Sequence, residues 1–186
     1  FFSTIPSGRG GFLFTTTATR MKSKPFHPPR IEKSKERLLV GFRTRMSIKE
    51  NTTPDLWGRF MQVSKDIRNK SGTEWYSVEI YPDSYFDTYD PAKTFEKWAA
   101  VAVEKSDSPL PSGLEELYID EGLYAVFSYQ GPASQVHRIY QYIFVDWIPA
   151  SGFALDPRPH FALMGAGYKG EDPNSQEELW IPVRKK

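Results

Sequence analysis

Cysteine is absent from this sequence of 186 residues, which excludes disulfides, thiolate metal sites and cysteine nucleophiles. Histidine is scarce as well, and the three residues His27, His137 and His160 show no HxH or HExxH spacing. We therefore expect neither a metal site nor another cofactor. No apolar run approaches the roughly 20 residues that a membrane span needs, so the sequence predicts a soluble, cytoplasmic protein with no membrane partner.

An excess of charge of one sign is also missing, since 24 Lys and Arg residues stand against 23 Asp and Glu residues. A balanced chain has no basic field with which to hold a nucleic-acid backbone, so direct binding of nucleic acid is disfavoured. No segment has the length and basic character of a helix-turn-helix DNA-binding region. The length is that of one domain.

The first 31 residues contain no Asp or Glu, are rich in Ser, Thr, Gly and Pro, and lack a regular apolar period. This composition is typical of a disordered or non-native tail over residues 1–30, ahead of one folded domain over residues 31–186. An acid-free start that contains Arg also fits the remnant of an organellar transit peptide, which would place the protein in an organelle. Both interpretations stay open.

The folded part reads as two halves with the same order of strand, helix, strand and strand. In the first half, alternation predicts strands over residues 38–43, 75–81 and 95–103, with a helix that Thr53 caps and Pro54 begins. In the second half the strands are residues 123–129, 161–164 and 178–183, with a helix that Ser134 caps and that ends before Pro149. A further strand over residues 115–119 connects the halves.

This pattern predicts an α+β fold of two pseudo-symmetric βαββ repeats, over about residues 37–104 and 122–185. We expect the repeats to form one antiparallel sheet with two main helices. A cleft between two related halves is a natural place for a ligand, so the predicted site is central. Aromatic residues make up 15% of the chain, and those that the core does not need could line such a cleft.

The last strand carries the strongest indication of function. Side chains two residues apart share a face of a strand, so Glu178 lies beside Trp180, while Leu179 faces the core. Glu96 precedes Trp98 in the same way in the first half. A carboxylate beside aromatic rings attracts an apolar cation through charge and cation–π interaction. The alternative is a solvated Glu178 on an edge strand, which Pro182 also permits.

The sequence from about residue 30 to 185 resembles the GyrI-like small-molecule-binding domains, the effector-binding domains of AraC-type regulators, in a stand-alone form. The stretches that carry the resemblance are LVGFR (39–43), DLWGRFM (55–61), FEKWAA (95–100), GLYAVF (122–127), YIFVDWIP (142–149), DPRPHF (156–161) and ELWIPV (178–183). Among these, GLYAVF and ELWIPV are the most specific.

The resemblance implies a protein that captures amphipathic, cationic compounds in an aromatic pocket, for sequestration or for transcriptional and stress signalling. It places the family's acidic residue, which pairs with lipophilic cations in multidrug-binding members, on Glu178. One departure is Ala162, where relatives carry an acidic residue, so this pocket would hold fewer negative charges. The pocket rings fall on Trp57, Tyr81, Tyr124, Phe127, Trp147, Phe161 and Trp180.

Two other functions stay open at this stage. Some GyrI-like proteins hydrolyse strained-ring cyclopropanoid genotoxins, and here Glu178 could activate water while Tyr81 or Tyr124 orients the electrophile. The family name also indicates a protein partner, as in inhibitors of DNA gyrase. His160 could act as a base, but its position favours a structural role, with a hydrogen bond to Asp156 or Arg158.

Overall fold

In the part of the chain that the structure describes, nine strands, all paired antiparallel, form the frame of the fold. The structure is a computed structural model that describes residues 26–106, 109–111 and 113–186, so most of the predicted tail lies outside the described residues. The strands are β1 (Arg30–Ser34), β2 (Arg37–Ser47), β3 (Lys70–Ile80), β4 (Thr94–Val103), β5 (Glu115–Ile119), β6 (Gly122–Gln130), β7 (Phe153–Leu155), β8 (His160–Met164) and β9 (Gln176–Lys185).

The order of the strands is pseudo-symmetric. It runs β1-β6-β9-β8-β3-β4-β2-β5, with β7 added to β9, so that β3 and β8 meet at the centre and β4, β2 and β5 correspond to β9, β6 and β1. This arrangement confirms the predicted α+β fold of two related halves. Strands β1 and β7 were not predicted, because β1 reads as the polar stretch RIEKS and β7 has only three residues.

Helix α1 (Thr53–Val63) lies in the first half, where Pro54 and Asp55 favour its first turn. The expected cap at Thr53 is wrong by one residue, because Thr53 is already helical and Thr52 precedes it without a capping side-chain hydrogen bond. The backbone N–H of Thr53 instead donates to Asn51 Oδ1 at 3.0 Å. The helix buries Leu56 and Phe60 against the sheet.

The second helix consists of three consecutive segments: α2 (His137–Gln141), a π-helical stretch (Tyr142–Trp147) and α3 (Ile148–Ala150). The expected cap at Ser134 is wrong, since its hydroxyl donates to Glu171 at 2.7 Å instead of capping the helix. The expected end before Pro149 is also wrong. Pro149 lies inside α3, which continues directly from the π-helical stretch and ends at Ala150.

Alternation along the strands separates two faces of the sheet. The inner face packs Leu39 and Ile119 from one end of the sheet together with Tyr124 and Trp180 from the other, which requires the sheet to curl on itself. The helix-covered face carries two further apolar clusters, one under α1 and one under the second helix. Among the described residues, no helix has both the length and the apolar character needed to cross a bilayer.

Candidate functional site

Four aromatic rings lie together on the inner face, and we call them the ring platform: Tyr76, Tyr124, Phe161 and Trp180. Strands β3, β6, β8 and β9 each supply one ring. Phe161 stacks on Trp180 with centroids 5.2 Å apart and an angle of 17° between the planes, and its centroid lies 5.6 Å from that of Tyr76. All four residues are buried, and their rings pack together in one aromatic cluster.

The guanidinium of Arg37 lies over this platform. Its central carbon is 5.2 Å from the Trp180 ring, 5.7 Å from Phe161 and 5.8 Å from Tyr76. Arg37 donates hydrogen bonds to Tyr76 Oη at 2.8 Å and to Ser34 Oγ at 3.3 Å. Within the part of the chain that the structure describes, Arg37 forms no ion pair with a carboxylate, so aromatic faces and neutral oxygens are its partners.

Glu178 lies at the edge of the platform and is already paired. Arg30 donates to both of its oxygens, at 2.8 and 2.9 Å, and the indole N–H of Trp180 donates at 3.1 Å. These hydrogen bonds, above all those from Arg30, lower the pKa of Glu178 despite its partial burial. Arg30 also lies 5.6 Å from the Trp180 ring, so this ring has two guanidinium groups as neighbours.

The first half contains the counterpart that the sequence predicts at Glu96. The indole of Trp98 donates to Glu96 at 2.7 Å, and Arg43 donates to the same carboxylate at 2.9 Å while lying 5.9 Å from the Trp98 ring. The two sites differ in the origin of the cation, because Arg43 comes from β2 whereas Arg30 comes from the edge strand β1.

A cleft of about 830 Å³ opens beside the platform, at the turn between β1 and β2. Arg37 and Tyr76 belong to its wall, together with Ser34, Ile119 and Leu163. The cleft therefore reaches the platform at the point where Arg37 covers it. Charged side chains, among them Glu32, Glu36 and Glu74, make up most of the rest of the wall.

The eight residues that the resemblance assigns to a pocket do not meet in one place. Glu178, Trp180, Tyr124 and Phe161 lie on the inner face. The others lie elsewhere: Trp57 packs on Phe60 and Trp75 near α1, Phe127 packs on Trp147 under the second helix, and Tyr81 packs on Tyr85, Phe95 and His160.

The two tyrosines considered for hydrolysis are engaged by groups other than Glu178. The hydroxyl of Tyr81 donates to Glu79 at 2.6 Å, and that of Tyr124 donates to the carbonyl oxygen of Pro159 at 3.1 Å. Burial raises the pKa of Tyr124 to about 12, so this hydroxyl stays protonated near neutral pH.

The expected hydrogen bond of His160 to Asp156 or Arg158 is wrong. Asp156 instead accepts from Arg158 Nε at 2.6 Å, and the ring of His160 packs among Tyr81, Phe86 and Phe144. Burial lowers the pKa of His160 to about 4, which keeps the imidazole neutral.

Sequence reasoning missed Arg30, Arg37 and Tyr76. Tyr76 is in phase with Val78 along β3, so alternation could have placed it on the inner face. Arg30 and Arg37 offered no such signal, because each begins a strand and only the curl of the sheet brings it over the rings. No group of three or more His, Asp or Glu residues suited to a metal ion occurs among the described residues.

The chain matches the model of one protein family, the GyrI-like small molecule binding domain, over residues 27–184. Because this match covers most of the chain, the protein belongs to that family. The family and the curled α+β sheet together define a small-molecule-binding domain.

Known proteins extend the comparison. The transcriptional regulator BrlR of Pseudomonas aeruginosa is 26% identical over 148 residues, which are 78% of this chain and 51% of the regulator, so the chain spans about half the length of that relative. The structure of SAV2435 bound to tetraphenylphosphonium has a TM-score of 0.65 at 16% identity and covers 85% of this chain and 94% of its own. A hydrolase encoded by lin2189 from Listeria innocua has a TM-score of 0.54 at 12% identity, over 87% of this chain and 94% of its own. At these identities the two structures establish a shared fold.

Proposed function

We propose that this domain binds amphipathic organic cations on the ring platform, with Glu178 as the anionic contact. The observation that carries the proposal is the position of two of the chain's own cations. Arg37 and Arg30 lie 5.2 and 5.6 Å from the ring of Trp180. A guanidinium is a planar and weakly hydrated cation, and its position here supports a cation as the group that the rings and the carboxylate attract.

Binding of a ligand at this site is an exchange. An incoming cation takes the place of Arg37 over the rings and extends into the cleft of about 830 Å³, where Glu32, Glu36 and Glu74 line the wall together with Ile119 and Leu163. Each exposed cation–π contact is worth about 0.5–1 kcal/mol, and Arg37 makes three of them besides two hydrogen bonds, so a ligand must gain more than this through several apolar groups. The rings give attraction without directional demands, which favours a receptor for a range of cations.

The similarity to the SAV2435 complex with tetraphenylphosphonium supports this ligand class, and the similarity to the transcriptional regulator BrlR supports a regulatory setting. In a cell, capture of such compounds would serve sequestration or a transcriptional or stress signal. The ring platform supplies the recognition in either case.

Tetraphenylphosphonium and tetraphenylborate provide the first test, because they have nearly the same shape and opposite charge. Calorimetric titration should show binding of the cation and none of the anion. Glu178→Gln should weaken the cation by about tenfold or more, since it removes the charge on one side of the site. Glu96→Gln is the matched control, because it breaks the same bonds to an arginine and an indole in the other half. Equal affinity of the wild type and Glu178→Gln for the cation would contradict the proposal.

A further inference from the structure

The two arginine–glutamate–indole sites of the inner face are built alike but anchored differently. In each, an arginine donates to a glutamate that also accepts from the indole two residues further along its strand. Arg43 belongs to β2, which pairs with β4 on one side and with β5 on the other. Arg30 belongs to β1, which pairs with β6 alone among the described strands. The pair of Arg30 and Glu178 is therefore attached to an edge of the sheet.

Strand β1 has little apolar burial to hold it in place. Its residues from Arg30 to Lys33 are exposed or half-buried, and Ile31, its one large apolar side chain, is 42% exposed. Lys33 pairs with Glu121 at 3.4 Å, but both side chains are exposed, so this ion pair contributes little. Segments with few buried apolar contacts and with exposed hydrogen bonds open most easily. The attachment of β1 thus depends strongly on its polar anchors.

Both arginines beside the ring of Trp180 supply these anchors. Arg30 donates to the two oxygens of Glu178 at 2.8 and 2.9 Å. At the other end of the strand, the buried Ser34 accepts a hydrogen bond through Oγ from Nε of Arg37 at 3.3 Å. A cation that takes the place of Arg37 and contacts Glu178 therefore competes with the anchors at both ends of β1.

The chain before β1 reaches the other face of the sheet. Phe26 packs on Tyr142 with ring centroids 5.4 Å apart, and it adjoins the apolar cluster under the second helix. Tyr142 is the first residue of the π-helical stretch. Pro28 and Pro29 follow before β1 begins, and their rings fix φ and favour extended backbone in the residue before each. A stiff link of about 12 Å, at roughly 3.1 Å per residue, thus joins Arg30 to the second helix.

We infer that residues 26–34, which we call the strap, are a release element that couples the ring platform to the second helix. A cation that contacts Glu178 displaces Arg30, β1 loses its charged anchor, and the strap separates from β6 together with Phe26. The helix-covered face then differs between the empty and the occupied platform. The inference rests on the proposed function, because it makes release of the strap the consequence of cation binding at Glu178.

Calorimetric titration with tetraphenylphosphonium tests the coupling, because a link between two sites acts in both directions. Phe26→Ala removes a contact that the free protein has and the complex lacks, so it should lower the dissociation constant about threefold or more. Val145→Ala is the control, since Val145 is an exposed apolar residue of the same helix outside the strap, and it should leave the constant unchanged. An unchanged or weaker affinity in Phe26→Ala would overturn the inference.

Hydrogen exchange of the backbone amides tests the strap without a ligand. Arg30→Met removes the charged anchor and keeps an apolar stem, so the amides of β1 should exchange about tenfold faster or more. Arg43→Met is the matched variant of the other half, and it should leave the amides of β2 at their wild-type rates because β2 keeps both neighbouring strands. Wild-type rates for β1 in Arg30→Met would overturn the inference.

The two proposals fail on different results. If tetraphenylphosphonium does not bind, the proposed function fails, whereas faster exchange of β1 in Arg30→Met still supports release of the strap. If tetraphenylphosphonium binds through Glu178 and the amides of β1 exchange at the same rate in the complex as in the free protein, the strap inference fails and the proposed function stands.

Discussion

Replacing Glu177 by Gln should stabilise the protein at about pH 8 and have little effect at about pH 5. The cause is the burial of this carboxyl group, which raises its pKa from the ordinary 4.5 to about 7. A raised pKa means that the folded state binds the proton more tightly than the unfolded state. The stability that Glu177 contributes is therefore greatest at acid pH, and it is lost as the pH rises through about 7.

The size of the effect follows from the same values. A change in pKa from 4.5 to about 7 corresponds to about 3.5 kcal/mol, at roughly 1.4 kcal/mol for each pH unit. Glu177 keeps some exposure to solvent, and pH 5 lies just above the unfolded value, so we expect about 2 kcal/mol between the two pH values. Gln has nearly the same shape and carries no charge, and the variant should therefore gain this amount at pH 8.

Urea titrations of wild type and variant at both pH values measure the difference in their free energies of unfolding. His160 also titrates, but its contribution is the same in both proteins and cancels in this difference. Glu178→Gln serves as the control with the opposite sign. The pKa of Glu178 is lowered, mainly by its hydrogen bonds from Arg30, so its contribution is present at neutral pH and is lost on acidification. A loss of stability in Glu177→Gln at pH 8 would refute the reasoning, because it would mean that the carboxylate has a partner in the folded state.

Three further changes probe other parts of the structure. Lys97→Met should lower the free energy of unfolding in urea by about 3–5 kcal/mol, because it leaves Glu79 charged and buried. Lys33→Met, which removes an exposed pair with Glu121, should lower it by less than about 1 kcal/mol, and similar losses in the two variants would contradict the burial of the first pair. Arg37→Ala should tighten tetraphenylphosphonium several-fold by calorimetry, because it removes the competing cation from the rings, and weaker binding would show that Arg37 helps to hold the ligand. Gly41→Ala should lower the free energy of unfolding by about 2–3 kcal/mol, because the new methyl group would clash with Ala99 and Ala100. Gly58→Ala, on the open face of α1, should raise it by about 0.5–1 kcal/mol, and equal effects of the two variants would contradict the close approach at Gly41.

The parts of the fold that sequence could predict are those set by local periodicity. Alternation gave the correct faces for Trp180 and Leu179, and the repeat of strand, helix, strand and strand indicated the pseudo-symmetric sheet. Contacts made by the curl of the sheet were beyond such reasoning. The polar strand β1 shows no apolar period, yet it brings Arg30 to Glu178, and the same curl places Arg37 over rings from three other strands.

Glu177 shows where periodicity could have been used further. The alternation that sends Glu178 to the inner face sends Glu177 towards the helices, so the sequence already contained a carboxyl group in a core-facing position. An acidic side chain in phase with Leu179 and Ile181 is costly to bury unless a cation or a hydrogen-bond donor compensates its charge.

The two faces of the sheet thus pose different problems to a cationic ligand. On the inner face, Glu178 and the rings already hold arginines. The measured binding free energy is therefore the difference between the interactions of the ligand and those of Arg37, which becomes solvated when it is displaced. On the helix-covered face, Glu177 is without a cation among the described residues, and a ligand there relieves the burial of a charge. Binding at Glu178, where a ligand exchanges with an arginine, should therefore depend less on pH than binding of a cation at Glu177. The reason is that the pKa of Glu178 lies below its usual value while that of Glu177 lies at about 7. The pH dependence of binding distinguishes the faces even where two ligands have the same affinity.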